Sequence, residues 1–125
     1  MEKNNYKLYT AILFLLIVNI ITAQIIESDE ISIIKDGQVV YKAQEPNVFI
    51  IKENENIITS TNVDNETEIY NILDKTIRKN NLLEYKLINT KKDSSNLIVN
   101  KVDSEIYMKV NTLELLFKIS TFKMD

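Results

Sequence analysis

The chain has 125 residues, 15 basic and 18 acidic side chains, a net charge of −3, and neither cysteine nor histidine. Without His or Cys there is no Ser-His-Asp or Cys-His catalytic arrangement, no disulfide and no thiol for lipid attachment, and the commonest transition-metal ligand is missing. A mildly acidic chain with one arginine, Arg78, also lacks the clustered basic groups that nucleic acid requires.

The N-terminus comes first in the chain. Met1 to Lys7 is short and polar, with Lys3 and Lys7 outweighing Glu2. Leu8 to Ile21 is strongly apolar, broken by Thr10 and Asn19, and Ile21-Thr22-Ala23-Gln24 sets a small residue before a plausible cut after Ala23. This is the layout of a secretory signal peptide. Leu8 to Ala23 counts 16 residues, roughly 24 Å of helix, against the roughly 30 Å of hydrocarbon that a spanning helix crosses. A cleaved signal over 1–23 is therefore favoured over an uncleaved membrane anchor. Lys3 and Lys7 before the run, and Glu27, Asp29 and Glu30 after it, put the bulk of the chain outside the cytoplasm in either case: periplasmic, at the cell envelope, or secreted. Removing 23 of 125 residues leaves 102, and the 15 basic and 18 acidic side chains fall to 13 and 17. That is a single domain, 24–125, with room for one core.

Beyond residue 26 the pattern is one of strands. Short apolar runs rich in Ile, Val, Leu and Tyr recur at intervals near ten residues, separated by polar clusters. Ile31–Lys35 and Gln38–Lys42 flank Asp36-Gly37, a strong type I′ hairpin signal. The simplest register pairs Ile34 with Val39, Ile33 with Val40 and Ser32 with Tyr41, which loads both faces with apolar residues and predicts a hairpin covered on two sides. Pro46 ends the second arm. Val48–Lys52 and Ile57–Thr61 follow, joined by a charged loop at 53–56.

Thr67 to Lys79 is ambiguous. Ile69, Ile72, Leu73 and Ile77 sit at helical spacing, and charges at either end suit a helix dipole. The same residues also fit a strand, and their neighbours in the chain favour one. Leu82–Asn89 turns Leu83, Tyr85 and Leu87 to one face. Leu97–Val102 comes next, then Glu105–Val110 and Leu113–Ser120, with clean period-two alternation between turns at Asp103-Ser104 and Asn111-Thr112. The sum is an all-β antiparallel meander of about eight or nine short strands, curled into a small barrel or folded into a two-layer sandwich.

The Thr22-Ala23-Gln24 region before a small β-rich chain, with abundant Asn, Ile and Lys, resembles the small exported β-sheet proteins of unknown function found in AT-rich bacteria. The resemblance is one of organisation and implies export; it carries no functional residue with it.

Candidate sites are few. Tyr41, Tyr70, Tyr85 and Tyr107 offer flat apolar faces with a hydroxyl rim and are candidates for a binding surface, although Tyr is also simply a good strand residue. Asp64, Glu66 and Glu68 alternate in a polar loop and are the weak candidates for a cation site; the Gly and closing Glu of an EF-hand are missing. No spacing nominates a catalytic carboxylate pair or a Ser-Lys dyad, so no cofactor and no catalytic residue are assigned. The expected function is a non-catalytic exported β-domain binding a protein or small-molecule partner. The alternatives are an envelope component assembling through sheet edges and, less favoured, a carboxylate-based hydrolase.

Overall fold

The computed structural model describes residues 23–124. The expected signal segment, 1–23, lies outside the described residues except for Ala23.

Nine antiparallel strands make up the domain: β1 (Ala23–Lys35), β2 (Gln38–Ala43), β3 (Asn47–Lys52), β4 (Ile57–Thr61), β5 (Thr67–Ile77), β6 (Leu83–Asn89), β7 (Ser94–Asn100), β8 (Glu105–Val110) and β9 (Leu113–Met124). Neighbours in sequence pair in turn from β3 to β9, and β1 joins β3 on one side and β9 on the other. Eight strands thus close into a barrel, with β2 outside it. Closure removes the edges that an open meander would expose.

Turn chemistry explains the connections. With one glycine available, the tight turns use Asn, Asp, Ser and Lys in the left-handed region: Asp36, Asn56, Asn65, Asn80, Asn81, Lys92, Ser104 and Asn111 all have positive φ. Asn and Asp tolerate that conformation because their short polar side chains bond locally. Asn89 illustrates this, its Oδ1 accepting from the N–H groups of Lys91 (3.0 Å) and Asp93 (2.9 Å).

An eight-stranded barrel has an interior just wide enough for side chains to fill. Ile26, Phe49, Ile51, Ile58, Tyr85, Leu87, Leu97, Val99 and Ile106 fill this one, each at most 1% exposed. Phe49 meets Phe117 edge to face, with ring centroids 4.9 Å apart and planes at 83°. Positions that alternate with these, among them Lys86, Asn96, Lys109 and Lys118, are exposed. Apolar inside and polar outside is the reverse of a transmembrane barrel's lining.

Four expectations are corrected. The first strand begins at Ala23, eight residues before Ile31, because Gln24 to Ser28 pair with both β3 and β9. The hairpin turn falls at Asp36-Gly37 as expected, and Ile34 pairs with Val39, but a bulge shifts the rest: Ile33 meets Tyr41 and Ser32 meets Lys42. Nor is the second arm covered on two sides, since Val39 and Val40 are 59% and 60% exposed. The seventh strand ends at Asn100, leaving Val102 in the following turn at 77% exposure.

Residues 67–77 form a strand, with a bulge between Ile72 and Asp74. Before the bulge Tyr70 and Ile72 face inward. Beyond it Lys75 and Ile77 pair with the inward-facing Tyr85 and Leu83.

Candidate functional site

The feature that sets this barrel apart is a ribbon formed by the second half of β1 and by β2. β1 is 13 residues long and β3 only six. β3 covers Ala23–Ser28, β2 covers Ile31–Lys35, and β9 runs along the other side through Ile34. The switch falls at Asp29, which is bulged out of register with β9. Past it β1 carries β2 beyond the barrel wall, and no strand among the described residues pairs with the outer edge of β2.

Glu30 pins the ribbon at its root. It is 9% exposed, lies 3.0 Å from the Lys42 ammonium on β2 and 3.9 Å from that of Lys118 on β9, and accepts from the Gln44 amide at 3.2 Å. The Lys42 ammonium beside it lowers the Glu30 pKa; burial opposes this, and Lys118 adds to the lowering. One carboxylate therefore ties together the root of the ribbon, the following loop and the barrel.

The ribbon's far strand is apolar. Val39, Val40 and Tyr41 are 59%, 60% and 47% exposed. The Tyr41 hydroxyl donates to Glu45 at 3.1 Å, and that bond raises the phenol pKa. Lys42 is the one charge on β2, and Glu30 holds it.

The four tyrosines do not share a surface. Tyr85 is fully buried and Tyr70 is 7% exposed, both inside the barrel. Tyr107 lies on the outer face, between the buried Ile106 and Met108, with burial and a hydrogen bond to Glu114 raising its pKa. Only Tyr41 stands on the ribbon. What sequence reasoning missed is the pairing of Tyr85 with the loop at 53–56. Its hydroxyl donates to Glu53 at 2.7 Å, and the Lys75 ammonium lies 2.7 Å from the same Oε1. Burial raises the Glu53 pKa, but hydrogen bonds from Lys75 and Tyr85 and the charges of Lys75 and Lys101 carry it below the ordinary range. Burial, then Glu53, push the Tyr85 phenol well up. Glu53 opens a short 3₁₀ turn, Glu53–Glu55, so this loop is built onto the barrel end. The bulge in β5 is what turns Lys75 toward it, and no sequence signal marks that bulge.

The acidic trio sits in the β4–β5 loop and the start of β5. Asn62 organises the loop: its Oδ1 accepts from the N–H groups of Asp64 and Glu66, both at 3.0 Å, and its amide donates to Glu66. Glu68 accepts from Asn89 across the sheet at 3.2 Å. Glu66 and Glu68 line a shallow open cleft with Ser60 and Thr90. Among the described residues no three His, Cys, Asp or Glu side chains are grouped to hold a metal ion, and no helix is long and apolar enough to cross a membrane.

No family model, no curated protein and no solved structure matches the chain.

Proposed function

We propose that this chain is an exported, non-catalytic β-barrel that binds a protein partner at the cell envelope, with the β1–β2 ribbon as its binding surface. One observation carries the reading: β2 lies outside a barrel that is otherwise closed, with no strand paired to its outer edge among the described residues and with three exposed side chains, Val39, Val40 and Tyr41. Partner strands add to such edges by main-chain hydrogen bonds, and alternate side chains supply specificity. The packed interior supports a surface role over carriage of a ligand inside the barrel. Export is supported by the Lys3-Lys7, Leu8–Ile21 and Thr22-Ala23-Gln24 pattern.

A second reading, assembly into a structural or adhesive array, draws on another partly open edge. β4 pairs with β5 only over Thr67–Asn71, so β5 from Leu73 to Ile77 has no second strand partner among the described residues. Contacts from β2 of one copy to β5 of the next would be head-to-tail and propagate.

The test joins localisation to contact. Fractionated cells are probed for the chain and its N-terminus is sequenced, while a photo-crosslinking residue replaces Val40 or, as a control on the barrel's outer face, Lys109. A start at Gln24 outside the cytoplasm, with adducts at Val40 and none at Lys109, is the expected result. An intact chain confined to the cytoplasm, or no adduct at Val40, overturns the proposal.

A further inference from the structure

We infer that the barrel end at which Ala23 opens β1 rests on the surface of an anionic lipid bilayer, with the β5–β6 and β7–β8 turns seated among the headgroups. The contact is separate from the ribbon and independent of whatever the ribbon binds.

Strand pairing defines this end. Ala23 pairs with Lys52 at the close of β3, Lys52 with Ile57 at the start of β4, Ile77 at the close of β5 with Leu83 at the start of β6, and Asn100 with Glu105 across the β7–β8 turn. The three most exposed large apolar side chains among the described residues all lie here: Val102 at 77%, Ile77 at 67% and Leu73 at 64%. Leu73 and Ile77 sit where β5 runs past Asn71, its last residue paired with β4. Val102, in the β7–β8 turn, and Leu82, in the β5–β6 turn, line one open cleft, so the two turns stand side by side. Phe122, near the close of β9, adds a partly exposed ring. Exposed apolar side chains gathered in one place mark a contact surface.

Three observations select a bilayer as the occupant. The first is local charge. Across the two turns Arg78, Lys79 and Lys101 stand against one acid, Asp103. Arg78 is held by Glu84, but Lys79 and Lys101 make no ion pair among the described residues; Glu53 and Glu55 of the adjoining loop are engaged by Lys75 and Lys52. The Lys101 ammonium lies 4.8 Å from the centre of the Phe122 ring. Apolar tips interleaved with lysine suit a headgroup layer, where the apolar parts enter the acyl boundary and the ammonium groups stay with the phosphates. Lysine is depleted from protein interfaces. The second is polarity along the barrel. Connections at the opposite end hold Glu45, Asp64, Glu66 and Asp93 against Lys91 and Lys92, so an anionic surface attracts one end and repels the other. The third is the path of the chain. The apolar run Leu8–Ile21 joins the domain through Thr22 to Ala23, at this same end. A membrane that engages that run therefore meets this end first. In this pose the ribbon turn at Asp36-Gly37, beyond the other end of β1, points away from the bilayer.

The experiment uses the full chain, expressed with its N-terminal segment and purified as the cell delivers it. Because the chain has no tryptophan, single tryptophans report position: Val102→Trp at the contact, and Leu113→Trp, exposed at the opposite end, as the control. Each is mixed with vesicles of phosphatidylcholine, with and without phosphatidylglycerol, and with the same lipids brominated in their acyl chains. The expected result is a blue shift and bromine quenching at position 102 and neither at 113. Binding is expected to need phosphatidylglycerol and to weaken as salt is added.

Vesicle binding is also expected to fall about tenfold in Val102→Asp and in the double variant Lys79→Glu, Lys101→Glu. These side chains lie outside the core, and a native circular dichroism spectrum keeps misfolding from passing as a positive result. No vesicle binding, binding indifferent to phosphatidylglycerol, or quenching at 113 equal to that at 102 overturns the inference. So does binding through an uncleaved N-terminal segment that leaves the tryptophan at 102 unquenched. Crosslinking at Val40 reads the ribbon separately: adducts there without vesicle binding leave the ribbon as a binding surface while the bilayer contact falls, and vesicle binding without adducts does the reverse.

Discussion

Replacing Tyr85 with Phe isolates one hydrogen bond at the end of the barrel. The ring is fully buried and stays so, so the apolar contribution of the side chain is retained. Only the 2.7 Å bond to Glu53 is lost. A hydrogen bond to a charged acceptor contributes about 1.5–3 kcal/mol net. Two facts place this one at the lower end. The Glu53 side chain is 40% exposed, so water replaces part of the lost interaction, and Lys75 still holds the same oxygen at 2.7 Å. The expected loss is about 1–2 kcal/mol, or about 4–16 °C in melting temperature for a domain of this size.

Urea titration followed by far-ultraviolet circular dichroism measures it, with the midpoint falling and the slope unchanged. A cycle with Glu53→Ala separates the bond from any other effect of the substitution: in that background Tyr85→Phe is expected to cost less by about 1 kcal/mol. If Tyr85→Phe costs the same with and without Glu53, or costs nothing in the wild type, the hydroxyl does not hold the loop and the reasoning fails.

Three further outcomes are expected. Phe49→Ala empties the position facing Phe117 and costs about 3–5 kcal/mol, a large part of a typical domain's stability; calorimetry reads the drop, and Phe49→Leu loses much less. Gly37→Ala meets no atom within 4 Å, so its cost is conformational only, about 1 kcal/mol from φ +77° at the turn, and chemical denaturation measures it. Glu30 and Glu53 are held below their ordinary pKa, so their contributions are complete above the unfolded value of about 4.3 and are lost as pH falls through the lowered folded values. Tyr70 and Tyr85 are raised, so theirs are complete below about pH 10 and are lost at higher pH. Stability against pH should therefore fall on both sides, with Glu30→Gln flattening the acid limb and Tyr85→Phe the alkaline one.

Much of the fold was legible because backbone pairing and side-chain alternation share one period. From Glu105 to Ile119 the two strands and their turn follow from sequence, since every second residue is apolar and Asn111 supplies the left-handed turn. Bulges were not legible. In β5 a slip after Ile72 sets Lys75 and Ile77 opposite Tyr85 and Leu83, although both stay exposed at the barrel end. A strand with one slip has inward residues three apart at the slip, which is why the same stretch also scans as a helix. In the ribbon, the bulge changes the partners of Val40 and Tyr41. At the N-terminus, Glu27, Asp29 and Glu30 read as the charged flank of the apolar run, and Asp29, bulged out of register with β9, falls where a continuous alternation would have marked a strand. The site suffered most from this: which tyrosines share a face, and which carboxylate meets Lys75, depend on register.

The same bulges bear on why β2 stays outside the barrel. Residue Asp29 is the point at which β1 exchanges β3 for β2, and there Glu30 becomes buried with Lys42, Lys118 and Gln44 around it. A buried carboxylate with one partner removed is costly, whereas an exposed ion pair contributes little. The ribbon is therefore coupled to the barrel through Glu30, and its outer edge, unpaired among the described residues, is presented in a fixed orientation rather than on a loose loop. An edge held in place costs less entropy to pair than one that must first be ordered. Glu30→Gln keeps hydrogen bonding but removes the charge that draws Lys42 inward. Lys42, whose side chain is already 59% exposed, then loses its ion-pair partner and stands as a free ammonium on β2. The variant is thus expected to weaken any contact made through β2 while leaving the barrel folded, and sedimentation together with circular dichroism reads the two effects separately.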